Sequence, residues 1–298
     1  MQYSYSDPEF DLASAYETCR VITRREAKNF YYAFLTLPAA QRRAIYAVYA
    51  FCRHCDDSVD DGTSTEAKVK ALADLQEDLT RTYPGRAPTP VYVALADVVH
   101  KYDIAQEFFR EIILGVESDL VKNRFRTFEE LREYCYRVAS VVGLVCLQIF
   151  GYKDDDAKKY AVDLGLAMQL TNIIRDVRED FEMDRVYIPQ DEMAKFGYSE
   201  DDLKNGVRNQ PFQELIKFQA ERAREYFDKG FKLLPYLSRR SRACPAVLGT
   251  LYSKVLSRIE ASDYDVLEVR VSLSKAEKIS ITAKTWLGSM LSLPSSRR

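Results

Sequence analysis

The sequence predicts an all-α fold, and three observations carry the prediction. Its 298 residues include only 11 glycines and 10 prolines, below the roughly 12% that these two supply in globular chains, so few tight turns can be built. Apolar residues recur at helical spacing, as in Ile45, Val48, Tyr49 and Cys52 at i, i+3, i+4 and i+7, while the alternation that marks strands is nearly absent. The breaks between periodic stretches are short and carry Pro, Gly or Asp. With 47% hydrophobic and 30% charged residues, the chain can bury a sizeable core and is too apolar for disorder.

Taken in order, the first helical stretch covers residues 11–34 and stops before Pro38, because proline disfavours helix at the residue before it. The second starts at Ala39 and closes at Gly62. A third spans about 66–82, followed by the clearest loop, residues 83–90, with three prolines and a glycine. Helices follow at about 91–101, 106–121, 127–151 and 154–180, with Asp103, Thr127 and Asp154 as starting residues. Residues 184–206 read as irregular, broken at Gly197 and Gly206. The last helices cover about 211–237, 245–261 and 275–290, with Pro211 and Pro245 in first-turn positions. No internal repeat or charge block divides the chain, so one all-α domain over residues 1–298, packed around a central space, is expected.

Composition also excludes function classes. Lys plus Arg number 43 against 45 Asp plus Glu, a formal charge of -2, which leaves no globally basic surface for nucleic acid. The six cysteines are sparse and sit mostly in apolar runs, which suits buried thiols in a reducing, cytoplasmic setting. Cys52 and Cys55 form a C-x-x-C, but they lack the strand-to-helix context of a redox pair and the further ligands of a zinc site. No basic-then-apolar leader opens the chain. The longest uncharged stretch, residues 138–152, is shorter than the ~20 residues that span a bilayer and reads as a core helix.

Two acidic clusters carry the chemistry. The apolar face Ile45, Val48, Tyr49, Cys52 continues by steps of four into Asp56 and then Asp60. Side chains four apart lie about 5–6 Å from each other at Cβ, so Asp56 and Asp60 can share a ligand while Asp57 and Asp61 point elsewhere. In the second cluster Asn172, Asp176 and Asp180 repeat the spacing, in line with Gly165 and Met168 and flanked by Leu170, Ile173, Ile174 and Val177. Carboxylates placed toward a core need cations, and Arg53 alone cannot neutralise a pair. All-oxygen donors, with His54 on the wrong side, select a hard cation. Mg²⁺ is the natural one, shared with a phosphate-bearing substrate. Arg53 and Arg175 complete a polyphosphate pocket, and no P-loop or EF-hand motif is present. Aromatic residues, among them Phe30, Tyr49, Tyr134 and Tyr252, supply faces able to stabilise a carbocation.

The sequence resembles the squalene and phytoene synthase family. The resemblance rests on Phe30-Tyr31-Tyr32-Ala33-Phe34, on Ala47-Val48-Tyr49-Ala50-Phe51-Cys52-Arg53 leading into Asp56-Asp57-Ser58-Val59-Asp60, and on Tyr134-Cys135-Tyr136-Arg137-Val138-Ala139. It continues through Gln169-Leu170-Thr171-Asn172-Ile173-Ile174-Arg175-Asp176 to Asp180 and through Arg185-Val186-Tyr187-Ile188-Pro189. It implies the class I isoprenoid synthase fold, with both acidic motifs facing one cavity. Asp56, Asp60, Asn172, Asp176 and Asp180 would then hold Mg²⁺ against substrate diphosphates, assisted by Arg53, Gln169 and Arg175. Phe30, Tyr49, Tyr134 and Tyr252 would line the cavity. Where relatives carry a Ser-x-Ser stretch this chain has Ala27-Lys28-Asn29, and Lys28 or Asn29 takes the diphosphate contacts.

The implied reaction is head-to-head condensation of two allylic prenyl diphosphates, farnesyl diphosphate foremost, to a presqualene-, squalene-, dehydrosqualene- or phytoene-type product, with the aromatic motif resembling the bacterial C30 branch. NADPH would be required only if that product is squalene, and the chain has no Gly-rich dinucleotide fingerprint. The apolar segment from Ile279 to Leu293, with Lys278, Lys284, Arg297 and Arg298 nearby, suggests peripheral membrane contact. Alternative readings are a class I terpene cyclase or head-to-tail prenyltransferase, a non-catalytic assembly factor of the same fold, and a di-iron bundle. The last would need Glu-x-x-His pairs that His54 and His100 do not form.

Overall fold

The computed structural model describes residues 10–27, 30–60 and 64–291, apart from the Asp60 side chain. Among the described residues there are helices and two isolated β-bridges, Arg124 with Val186 and Tyr152 with Leu237, but no strand. The all-α expectation holds. In order the helices are α1 (Leu12–Glu26), α2 (Phe30–Phe34), α3 (Ala39–Asp60), α4 (Thr65–Thr82), α5 (Pro90–Lys101), α6 (Gln106–Val121), α7 (Phe128–Cys135) and α8 (Val141–Phe150). They continue with α9 (Asp156–Arg175), α10 (Val177–Glu182), α11 (Gln190–Lys195), α12 (Glu200–Lys204), α13 (Gln210–Gly230), α14 (Arg239–Ala261) and α15 (Lys275–Leu291).

The starts follow local chemistry. Asp11, Ser64, Thr127, Ser199, Asn209 and Ser238 each accept a hydrogen bond from a backbone N–H in the first turn of the helix that follows, which satisfies a donor the helix cannot. Several sequence expectations need correction, among them the single helix over residues 154–180, which divides into α9 and α10. The first stretch is two helices, parted after Ala27. Asp103 has φ 50° and lies in the turn before α6 instead of capping it. Residues 184–206 contain α11 and α12, too short for periodicity to reveal. The helix assigned to residues 245–261 begins at Arg239, capped by Ser238, so Pro245 lies within it. The stretch read as one helix over residues 127–151 contains a π-turn, Tyr136–Ser140, between α7 and α8.

The centre is α9, which packs against α13, the π-turn and α8, with α14 closing over it. Its apolar residues are distributed all round, as in a helix covered on every side. Close approach is set by glycine. A Cβ on Gly165 would lie 2.8 Å from Ser140 Cα, and one on Gly230 would lie 2.7 Å from Leu164 Cα. The run Phe128–Phe150 has the length and mean hydropathy, 1.3, of a membrane span, and half of that window is buried. Its neighbours are α3, α6 and α9, as for a core helix. One apolar core joins residues from Ala15 to Leu273.

Candidate active site

The inward face of α3 does what its spacing predicts. Ile45, Val48, Tyr49, Cys52 and Asp56 line a cavity of ≈ 330 Å³, and Ala161, Leu164, Gly165, Met168, Gln169 and Asn172 of α9 form another wall of it. Val138 and Ala139 of the π-turn, with Val142, Gly143 and Cys146 of α8, supply a third. Both α3 and α9 run from apolar residues to polar ones, so the chamber is greasy along its length and polar at one end. Cys52, Cys146 and Cys244 line it as free thiols, and Cys55 is free and buried behind them. Burial pushes the Cys146 thiol up to about 12. Burial likewise raises the Cys52 and Cys55 thiols above their ordinary range. His54 packs edge-on against Tyr92, 5.7 Å between ring centroids, away from the chamber.

Asp56 also lines a second, polar pocket of ≈ 230 Å³, with Arg53, Asp119, Tyr134, Arg185 and Tyr187. The Tyr187 hydroxyl donates to Asp119 Oδ1 at 3.1 Å, and Tyr134 donates to Tyr187 Oη at 3.3 Å. Their rings stack at 5.2 Å. Burial, with Asp119 beside both, raises the two phenol pKa values above the ordinary range, so they stay protonated. Arg53 is shared between two carboxylates. Its Nε donates to Asp57 Oδ1 at 2.8 Å, while Asp56 is 4.0 Å from its nearest nitrogen.

On the other wall α9 gives way to α10 at Asp176, whose φ is -104° and ψ 14°. The helical hydrogen bonds survive the kink, Asp176 N to Asn172 O at 2.9 Å and Asp180 N to Asp176 O at 2.8 Å, so the four-residue spacing persists. Asn172 Oδ1 is buried and has no hydrogen-bond partner, while its Nδ2 donates to Gln169 Oε1 at 3.3 Å. Burial alone would raise the Asp176 pKa. Hydrogen bonds from Arg175, at 2.8 and 2.5 Å, and from Arg270, at 2.9 Å, outweigh burial and hold it below the ordinary value. Arg270 also reaches Glu179, at 2.9 Å. Asp180 has weaker help, from the charges of Arg185 and Arg175. Burial first, then the charge of Asp176, pushes it up to about 7.

Arg185 and Tyr187 tie the two acidic segments together. They line the polar pocket with Asp56 and also the crevice that contains Asp180. Asp56 and Asn172 thus line the chamber from two walls, Asp180 lies in the adjoining crevice, and Asp176, held by Arg175 and Arg270, stands between Asn172 and Asp180 along the chain; α3 ends at Asp60. The Asp60 side chain and residues Lys28 and Asn29 lie outside the described residues. Among the described residues no three Asp, Glu, His or Cys side chains form a ready metal cage. The donor chemistry nevertheless fits a hard cation: oxygen ligands only, an orphaned amide oxygen, and a carboxyl that burial keeps near-neutral until a positive charge arrives.

The aromatic expectations divide. Phe30 and Tyr49 line the chamber, 6.2 Å apart at their ring centroids. Tyr134 stands in the polar pocket instead. Tyr252 is 3% exposed and packs behind Phe30 at 5.9 Å, its hydroxyl beside Arg175 and Asn172, so it backs the wall without lining it. Four residues escaped the sequence reading as site residues: Asp119, Arg185, Tyr187 and Arg270. Arg185 and Tyr187 belong to a recognised motif and could have been found from it. Asp119 and Arg270 carry no local signal.

A family model described as squalene/phytoene synthase matches residues 23–277. The chain is 38% identical over 280 residues to the 15-cis-phytoene synthase of Synechococcus elongatus, covering 90% of this chain and 91% of that protein. It is 37% identical over 276 residues to the phytoene synthase of Mycobacterium tuberculosis, with coverage of 92% and 91%. Among solved structures, a dehydrosqualene synthase crystallised with a ligand superposes with a TM-score of 0.86 at 30% identity, covering 93% of this chain and 98% of that one. A squalene synthase from Alicyclobacillus acidocaldarius superposes with a TM-score of 0.81 at 30% identity, with coverage of 85% and 95%.

Proposed function

Because the chain belongs to the squalene/phytoene synthase family, an enzyme family of the prenyltransferase type acting on prenyl diphosphates, we propose that it joins two C20 prenyl diphosphates head to head into phytoene. The observation that carries the reading is Asp56, which lines both the apolar chamber and the polar pocket. A substrate with a hydrocarbon tail and a diphosphate head needs that boundary. The sequence leaves a squalene-type and a phytoene-type product both open, with the aromatic motif leaning to C30. The curated relatives at 35–38% identity are named as phytoene synthases, and they outrank the aromatic motif as a guide.

Asp56, Asp60, Asn172, Asp176 and Asp180 would hold Mg²⁺, which neutralises a leaving diphosphate and stabilises the charge that develops on it. The remaining work falls to the chain itself. Tails lie along Ile45, Val48, Leu164 and Val142, and burying them leaves the heads at the polar end. When the C–O bond of the first substrate breaks, the diphosphate leaves with the electron pair and an allylic cation remains. The walls exclude water from that cation, and the faces of Phe30 and Tyr49 oppose its charge. The double bond of the second substrate supplies electrons for the new C–C bond, and a proton is lost as the cyclopropylcarbinyl diphosphate forms. Loss of the second diphosphate then permits rearrangement, and release of a further proton gives a linear polyene without an external reductant. Tyr134 and Tyr187, protonated, direct their single O–H protons to Tyr187 Oη and Asp119, which fixes the Asp119 carboxylate at the polar end.

The test is incubation of purified protein with Mg²⁺ and either geranylgeranyl or farnesyl diphosphate, with and without NADPH, followed by product identification. The expected outcome is phytoene from the C20 substrate, independent of NADPH, with Asp56→Asn lowering turnover by about three orders of magnitude. A C30 product alone would overturn the chain-length assignment. Full activity in Asp56→Asn would overturn the site.

A further inference from the structure

Asp176, at the kink between α9 and α10, holds two guanidinium groups that are not equivalent. Arg175 grips it as a fork, Nε to Oδ1 at 2.8 Å and Nη2 to Oδ2 at 2.5 Å, and both side chains are largely buried, 12% and 15% exposed. Arg270 adds a single bond, Nε to Oδ1 at 2.9 Å, reaches Glu179 at 2.9 Å as well, and is 50% exposed. A carboxylate oxygen offers about two lone-pair positions. Both positions on Oδ1 are therefore taken, one by each arginine.

Arg270 arrives on a strap, residues 262–274, that joins α14 to α15 without helix or strand. The strap is fastened at both ends. Val266 and Leu273 are buried, Arg208 Nη2 donates to the Asp263 carbonyl at 3.0 Å, and Arg258 Nη1 donates to the Ser272 carbonyl at 2.5 Å. Between these points Val269 is exposed, and the ion pairs of Arg270 tie the span to the kink. An arginine on such a span can move away at the cost of partly exposed ion pairs, whereas moving Arg175 would uncover a buried carboxylate.

A divalent cation bound by Asp176 needs an oxygen position and brings a double positive charge that repels both arginines. Arg270 is the one that can give way. We propose that Arg270 is a positioning residue that competes with metal: it neutralises Asp176 when no metal is bound, is displaced when a divalent ion arrives, and thereby sets the metal affinity and frees the strap. Taking Asp176 as a metal ligand rests on the proposed function, whereas the competition is a separate statement about Arg270. When metal departs, the guanidinium returns, so the acidic pair Asp176 and Glu179 keeps a cation throughout.

The test uses the full chain and Mn²⁺ alone, without substrate, with affinity read by calorimetry and the strap by hydrogen exchange. Arg270→Ala should bind Mn²⁺ about three- to fivefold more tightly than wild type, with Arg270→Lys in between. In an Asp176→Asn background the gain from Arg270→Ala should vanish. Mn²⁺ should speed exchange of the amides of residues 267–271 in wild type, whereas in Arg270→Ala they should exchange fast with or without metal. A purely structural role would leave metal affinity unchanged or lower it. Equal or weaker Mn²⁺ binding by Arg270→Ala, a gain that survives Asp176→Asn, or strap exchange unmoved by metal would each overturn the proposal and leave the metal site standing. Absence of Mn²⁺ binding by both wild type and Arg270→Ala would overturn the metal site and the proposal together.

Discussion

Asp180 sits where the needs of the fold and of the chemistry diverge. Burial and the neighbouring Asp176 charge raise its pKa from 3.8 to about 7. Between those values the folded chain keeps a proton that the unfolded chain has released, so stability falls as pH rises through about 4 to 7 and levels off above. Three pKa units at 1.36 kcal/mol each set a ceiling of about 4 kcal/mol. Asp180 is only partly buried, and solvent screening reduces the effect to about 1–2 kcal/mol. Asp180→Asn keeps the shape and removes the charge. In EDTA at pH 8 the variant should melt about 2–6 °C above wild type, and near pH 4 the two should coincide. Circular dichroism melts at both pH values make the comparison. A gain of equal size at both, or a loss at pH 8, would refute the desolvated-carboxylate argument. Product analysis should show the opposite sign, with turnover lost in the more stable variant.

Three further outcomes are expected. Arg270→Ala removes one of two guanidinium groups from Asp176, whose depressed pKa stabilises the fold above the ordinary carboxylate range and ceases to do so as pH falls through it. The variant should lose under about 1 kcal/mol at pH 7 in urea titration, and the loss should shrink as pH falls below the ordinary carboxylate value toward the depressed one; a loss independent of pH would count against the pairing. Gly165→Ala forces a Cβ to 2.8 Å from Ser140 Cα, with backbone on both sides, and should cost about 1–3 kcal/mol. An unchanged urea midpoint would mean the π-turn yields freely. Cys146→Phe fills part of the chamber and should shift the preference from C20 toward C15 diphosphate in direct competition, whereas an unaltered ratio would remove Cys146 from the length gauge.

Much of the site was legible because helical spacing is a local property. Ile45 through Asp56 share a face whatever surrounds them, and the chamber lies on that face. The spacing of Asn172, Asp176 and Asp180 survived a kink that no sequence pattern announced, since the backbone hydrogen bonds continue through it. What was not legible depends on contacts distant in sequence. The arm after α14 brings Arg270 to Asp176 across 94 positions, and Asp119 meets Tyr187 across 68. Arg53 was expected to assist a diphosphate, and its guanidinium is engaged by Asp57, one helical turn on, with Asp56 at 4.0 Å. Pro245 misled the reading of α14 because proline favours a first turn, while the cap at Ser238 lies seven residues earlier.

The polar end and the greasy floor of the chamber are served by different stretches of the same two helices. Ile45 lies eleven residues from Asp56 along α3, about 16 Å at helical rise, and Ala161 is equally far from Asn172 along α9. A lineage can therefore exchange residues at the deep end, generation by generation, without disturbing the grip on the head group. Chain length and head-group binding can thus vary separately on one scaffold.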